Sequence, residues 1–198
     1  PIEIPPPSLD DVLYEKRESF AVITLNRPVV LNAINWSICR RLWWALGEAA
    51  KDDDVKAVIL TGAGRAFSAG GDIQSTPPPD SDPTPSGMEI NLAIWRMQKP
   101  VIAAVRGYAV GQGHELAGTC DMTIAAEDAV FGELQIRHSF GPPILITPFL
   151  VGMKQAKETL MLGERIPAQE ALRLGFVNKV VPGDQLMEAA EEMARKLA

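Results

Sequence analysis

Gly107-Tyr108-Ala109-Val110-Gly111-Gln112-Gly113-His114-Glu115-Leu116-Ala117 is the stretch on which the fold turns, because small residues lead directly into a helix that carries a carboxylate in its first turn. The opening turn of a helix leaves backbone N–H groups without intrahelical acceptors, and the helix dipole adds positive potential there. Such donors can hold a developing oxyanion while a neighbouring glutamate moves a proton. Upstream, Gly64-Arg65-Ala66-Phe67-Ser68-Ala69-Gly70-Gly71-Asp72-Ile73 follows the apolar run Ala57-Val58-Ile59-Leu60, so a strand should feed a tight glycine loop.

Outward from these two runs, the hydrophobic pattern alternates between short strands and helices. Leu13 to Lys16 and Phe20 to Leu25 read as a hairpin joined at Arg17-Glu18-Ser19, and Ser37 to Lys51 as an amphipathic helix with Ile38, Leu42, Ala45 and Ala49 on one face. Val55 to Thr61, Pro100 to Val105 and Met122 to Ala125 read as strands, with helices over Met88 to Met97 and Gly111 to Thr119. Between them, Pro77 to Ser86 carries prolines at 77, 78, 79, 83 and 85 and is expected to be a mobile, irregular loop. The last third should be mostly helical, over Ile144 to Leu150, Lys154 to Leu162, Ala168 to Leu174 and from Gly183 on, with a short strand at Asn178 to Val181. Pro167 and Gly175 punctuate a helix start and a helix end. Repeated strand and helix units without a second composition class predict one α/β domain with a largely parallel sheet.

Composition bounds the function. A chain of 198 residues, 46% of them hydrophobic, can bury one sizeable core. Its net charge of −6 gives no basic excess for nucleic acid or an anionic membrane, while leaving room for a phosphate-bearing small molecule. Cys39 and Cys120 lack the spacing of a zinc site or a disulfide framework and read as reduced core thiols; no metal site is expected. Without a signal peptide, lipidation motif or long apolar span, a cytoplasmic setting is expected.

Leu25-Asn26-Arg27-Pro28-Val29-Val30-Leu31-Asn32-Ala33-Ile34-Asn35, the Gly64 to Ile73 run and the Gly107 to Ala117 run, in this order, resemble the crotonase family, also called the enoyl-CoA hydratase/isomerase family. Phe131-Gly132 and Gly163-Glu164-Arg165-Ile166 extend the resemblance over nearly the whole chain. The resemblance implies a crotonase-like spiral of repeated ββα units over about residues 1–140, then the start of a helical C-terminal region over about 141–198. It also implies a chain trimmed at both ends, since members of the family continue into helices that cover the acyl pocket and pack against neighbouring subunits. A homo-trimer or hexamer is implied, with Trp36, Trp43, Trp44 and Trp95 as candidate interface anchors.

The implied substrate is an acyl-CoA thioester, coenzyme A entering as part of the substrate with no separate cofactor, and the implied intermediate is a thioester enolate. The two donors that hold its oxygen fall on the N–H groups of Gly71 and Gln112; the family usually has glycine at the second position, but a main-chain donor accepts glutamine if φ is negative. Glu115 matches the first glutamate of the hydratases. At the second, Gln135 stands instead and cannot transfer a proton; Glu133, two residues earlier, is the candidate substitute, since an extended segment would turn both to one side. The Pro-Gly-x-Gly-Gly turn that follows in the family is replaced by Arg137-His138-Ser139-Phe140-Gly141-Pro142-Pro143. Val30, Ala69, Gly70, Asp72, Ile73, Tyr108, Val110 and Gly111 are the further candidates for substrate contact. Asp72 reads as a turn-stabilising carboxylate, and His114 and His138 as structural.

Three functions follow: hydration of a 2-enoyl-CoA, isomerisation or other enolate chemistry needing one carboxylate, and acyl-CoA binding with weak catalysis. Fold alone cannot separate them. Ser68 lacks a nucleophile elbow, and neither glycine run completes a dinucleotide or Walker pattern, so hydrolase and nucleotide-loop readings are set aside.

Overall fold

The computed structural model describes residues 10–76, 78–79, 82–142 and 144–198. The chain opens with a hairpin, β1 (Val12–Lys16) and β2 (Phe20–Leu25), and after a short 3-10 turn enters α1 (Trp36–Lys51), whose first N–H groups are capped by the Asn35 side chain accepting from Ile38 N at 2.9 Å. Three strand–strand–helix turns follow. They are β3 (Ala57–Gly62), β4 (Ala66–Ser68) and α2 (Gly87–Trp95); β5 (Val101–Val105), β6 (Tyr108–Val110) and α3 (Gln112–Thr119); and β7 (Met122–Ala126), β8 (Val130–Gly132) and a 3-10 helix at Leu134–His138. The chain then runs through α4 (Thr147–Leu150), α5 (Met153–Leu162), β9 (Ile166–Pro167), α6 (Ala168–Leu174), β10 (Lys179–Val181) and α7 (Leu186–Leu197).

The long strand of each turn joins a six-stranded sheet in the order β1-β2-β3-β5-β7-β10, parallel except for the opening hairpin. The short strand of each turn joins a second sheet in the order β4-β6-β8-β9, parallel except where β9 closes its edge. Parallel strands covered on both faces need apolar residues at successive positions rather than alternating ones, and the runs Ala57-Val58-Ile59-Leu60 and Val101-Ile102-Ala103-Ala104-Val105 supply them. Ala57, Ile59, Ile102, Ala104 and Ile124 pack on Leu186, Ala190 and Ala194 of α7. Val58, Leu60, Ala103 and Val105 face the larger core containing α1, α2 and α3.

The four strands of the second sheet are the part the hydrophobic pattern does not reveal, because segments of two or three residues carry no measurable periodicity. One other difference has a local cause. The helix expected from Ile144 begins only at Thr147, where Pro148 occupies a first-turn position. At the described end of the proline-rich loop, Arg40 Nη2 reaches Asp82 at 2.7 Å, Arg40 also donates to Thr84, and Ser86 opens α2 in a reciprocal cap with Glu89. Pro77, Asp80, Ser81 and Pro143 lie outside the described residues. Cys39 and Cys120 are buried free thiols, burial pushing Cys39 up to about 12 and Cys120 upward as well.

Candidate active site

The loop after β4 spends its backbone donors in a way that isolates one of them. Ala69 N–H donates to Leu31 O at 2.9 Å, Gly70 N–H to Ser68 Oγ at 3.1 Å and Asp72 N–H to Ile34 O at 2.9 Å, while Gly70 O accepts from Ile34 N at 2.8 Å. Among the described residues the Gly71 N–H has no acceptor. Gly70 makes the turn possible: its φ of +96° belongs to glycine, and a Cβ there would lie 2.8 Å from Val110 O.

The start of α3 repeats the device. Gly111, at φ +55°, donates to Gly132 O at 2.8 Å and its carbonyl accepts from His114 N and Glu115 N. Gln112, the first helical residue, retains an N–H with no acceptor among the described residues and is not among the positions of positive φ. The two loops touch: a Cβ on Gly70 would sit 3.5 Å from Gln112 N, and one on Gly113 would sit 2.6 Å from Ser68 O. Two unspent donors from separate loops therefore stand side by side at the positive end of a helix, the arrangement that stabilises an oxyanion.

Asn32 holds this corner from beneath. Fully buried, with φ +55°, it donates from Nδ2 to Ala63 O at 2.9 Å and to Ala66 O at 2.7 Å, and accepts from Arg27 N at 2.8 Å. Arg27 in turn binds Asp72 at 2.9 Å, which holds that carboxyl below its usual range; Asp72 is a turn-stabilising group.

One helical turn beyond the donors, Glu115 is 0% exposed, and burial, reinforced by the charge of Glu133, pushes its carboxyl up to about 9. Gln135 bridges the two acids. Its Nε2 donates to Glu133 Oε2 at 2.6 Å and reaches Glu115 Oε1 at 3.4 Å. Thr147 donates to the other Glu133 oxygen at 2.9 Å. Glu115 Oε2 and Gln135 Oε1 are buried without a partner among the described residues. The expected juxtaposition of positions 133 and 135 is present, but its reason differs: the segment is a 3-10 turn, not an extended strand, and Gln135 reaches back over its own chain to Glu133.

His114 packs edge-on against Phe176 and Phe131, with ring centroids 4.9 and 6.1 Å away. Burial pushes its pKa down despite Glu133, whose Oε1 lies 3.9 Å from Nε2, beyond hydrogen-bond range. His138 is exposed.

Beside the two donors opens a cleft of about 560 Å3 lined by Gly71 and Gln112 with Ile34, Trp36, Cys39 and Met88. Of the sequence candidates, Gly71, Gln112 and Asp72 line the cleft, while Gly70, Gly111, Glu115, Glu133 and Gln135 cluster around the donor loops without lining it. The remaining candidates lie elsewhere. Val30 stands half out of the opening 3-10 turn, Ala69 is exposed, and Ile73 is 90% exposed because the chain leaves the Ile34–Gly71 bridge in a surface turn. Tyr108 lies in β6 beneath the Arg165 guanidinium, and Val110 offers its carbonyl against Gly70 rather than its side chain to the cleft. Sequence reading missed Ile34, Trp36, Cys39 and Met88 as cleft walls, and Asn32 and Thr147 as supports. What singles out Asn32 is full burial with hydrogen bonds to three backbone groups, which the sequence does not display. Among the described residues no cluster of His, Cys, Asp and Glu could hold a metal, and no helix is long and apolar enough to cross a membrane.

This geometry agrees with what the chain is similar to. A short-chain-enoyl-CoA hydratase of Clostridium acetobutylicum is 41% identical, covering 96% of this chain and 76% of that protein. A crotonyl-CoA hydratase of Syntrophomonas wolfei is 36% identical over 95% of the chain and 75% of its own length. Among solved structures, an enoyl-CoA hydratase/isomerase from Xanthobacter autotrophicus superposes with a TM-score of 0.86 at 39% identity, covering 94% of this chain and 72% of that one. An enoyl-CoA hydratase from Bacillus anthracis superposes with a TM-score of 0.88 at 32% identity, covering 94% and 76%. The profile of the enoyl-CoA hydratase/isomerase family matches residues 15–198, and the chain belongs to that family.

Proposed function

We propose that this protein is an enoyl-CoA hydratase, adding water across the 2,3 double bond of a 2-enoyl-CoA. The observation that carries the reading is the pair of unspent main-chain donors, Gly71 and Gln112, set beside a buried glutamate whose carboxyl is raised to about 9. The thioester oxygen accepts from both N–H groups, which hold the negative charge that builds on it as water adds. Near neutral pH Glu115 carries a proton. It gives that proton to C2 as the water oxygen bonds to C3, and the carboxylate left behind takes the proton that the water sheds, so the enzyme ends as it began. Glu133, both oxygens engaged by Gln135 and Thr147, is a positioning residue: its charge adds to the burial that keeps the proton on Glu115, and Gln135 fixes the distance between them.

This account explains how Gln135 is tolerated where the hydratases carry a second carboxylate. The same observation favours a second reading, isomerisation of a 3-enoyl-CoA, in which Glu115 alone moves a proton between C4 and C2. Coenzyme A belongs to the substrate in both, and no cofactor or metal takes part. A homo-trimer or hexamer, a cytoplasmic setting and a place in fatty acid metabolism complete the proposal. Exposed Trp95, 6.2 Å from exposed Phe149, is the apolar surface that supports assembly.

Purified protein assayed with crotonyl-CoA beside a 3-enoyl-CoA tests the reading. Hydration is expected to dominate, to fall steeply in Glu115→Gln and to persist at a modestly reduced rate in Glu133→Gln with the alkaline limb of its pH profile moved to lower pH. Conversion of the 3-enoyl-CoA alone would replace hydratase by isomerase. Binding of thioester without turnover of either substrate would leave an acyl-CoA-binding protein.

A further inference from the structure

Gln112 brings a side chain to a position whose contribution to the oxyanion site is wholly main-chain, and that side chain lies across the cleft. A Cβ on Gly71 would sit 3.2 Å from Gln112 Oε1, and a Cβ on Gly87 would overlap Gln112 Nε2 and stand 2.8 Å from its Cδ. The amide is thus wedged between the loop after β4 and the first residue of α2, and it fits only because residue 87 has no side chain.

On one side of this amide is the open cleft with Trp36 and Met88. On the other is a residual cavity of about 10 Å3, room for no more than a single water, walled by Ile38, Leu42, Ile90, Asn91 and Leu116. Ile34, Cys39, Gly87 and Gln112 border both spaces, and of these Gln112 has the longest flexible side chain. The far cavity is apolar except for Asn91, 1% exposed, whose amide oxygen and nitrogen have no partner among the described residues.

We infer that the Gln112 side chain sets the acyl length this protein accepts, by closing the apolar path between the oxyanion donors and the Asn91 cavity. The inference rests on the enoyl-CoA reading above. An acyl chain whose carbonyl oxygen sits on the Gly71 and Gln112 N–H groups starts within a residue's width of this amide. A crotonyl group extends only three carbons beyond its carbonyl carbon and asks least room of this amide. A longer tail has to displace it and then pack hydrocarbon against the unpartnered Asn91, and each of those steps opposes binding. Chain length is therefore read at the same residue that supplies one of the donors, through its side chain rather than its backbone.

The test is the ratio of kcat/KM for 2-hexenoyl-CoA, whose two additional carbons match the room a truncated Gln112 would free, to that for crotonyl-CoA in the wild type, Gln112→Ala, Asn91→Ala and the double variant. Taking the ratio cancels any change in the donor itself. The wild type is expected to favour crotonyl-CoA, and Gln112→Ala to raise the ratio by roughly tenfold or more, a discrimination typical of methylene-sized differences in a pocket. Asn91→Ala, which enlarges the space behind the amide without opening the way to it, should leave the ratio unchanged alone and raise it further in the double variant. An unchanged ratio in Gln112→Ala, or a wild type that uses both substrates equally, overturns the inference while leaving the hydratase reading intact. Failure of every protein to turn over either thioester removes that reading and this inference with it.

Discussion

Replacing Glu115 by glutamine should change how stability depends on pH, and the size of the change follows from the burial of that one carboxyl. Its value is pushed up to about 9 in the fold, from an ordinary value of 4.5. Between those two values the folded chain holds one more proton at this position than the unfolded chain. The associated stability is therefore complete below about 4.5 and is lost as pH climbs through about 9, at about 1.4 kcal/mol per pH unit. From pH 6 to pH 8 the wild type should lose about 3 kcal/mol relative to Glu115→Gln, whose amide does not titrate. His114 acts in the opposite sense: its lowered pKa contributes stability present above 6.5 and lost as pH falls, and it is common to both proteins. Urea unfolding at pH 6, 7 and 8, expressed as wild type minus variant, isolates the Glu115 contribution. A difference that does not change with pH would show that Glu115 ionises normally in the folded chain, and the mechanism built on its proton would fall.

Three further outcomes can be checked directly. Glu115→Gln should lower kcat for crotonyl-CoA hydration by roughly 10²–10⁴-fold with little change in KM, as for loss of a general acid–base; steady-state kinetics decides. Gly70→Ala should retain the fold by circular dichroism yet lose about 3 kcal/mol of transition-state stabilisation, roughly a hundredfold in kcat, because its Cβ would meet Val110 O and push one donor away from the other. Asn32→Ala should cost about 2–4 kcal/mol of stability, seen as a lowered Tm, since three backbone groups, one of them fully buried, lose their partner together.

How much of this was legible beforehand depends on element length. The Ile38, Leu42, Ala45, Ala49 stripe predicts α1 to within a residue, and the apolar runs give β3, β5 and β7, because each carries enough residues to express a period. The second sheet was not legible, and it is the element that delivers β4 and β6 to the two donor loops. In the site, the glycine runs marked both donors because a turn that leaves N–H groups unspent needs positive φ at Gly70 and Gly111. What sequence could not supply was direction. Ile73 and Val30 are as apolar as Ile34 and Met88, yet the former point away from the cleft and the latter wall it. The bridge through Gln135 was hidden for the same reason: an amide two residues from an acid reveals nothing until the 3-10 turn folds one over the other.

Because both oxyanion donors are main-chain atoms, saturation mutagenesis of this protein should produce an inverted map. Gly71, whose added Cβ would meet only the movable end of the Gln112 side chain, should accept small residues, and so should position 112 itself. Intolerance should concentrate one step back, on Gly70, Gly113 and Asn32, which are not part of the cleft lining but fix where the two nitrogens point. A screen that equates sensitivity with direct contact would overlook the two positions whose unspent N–H groups face the cleft and credit the scaffold that aims them.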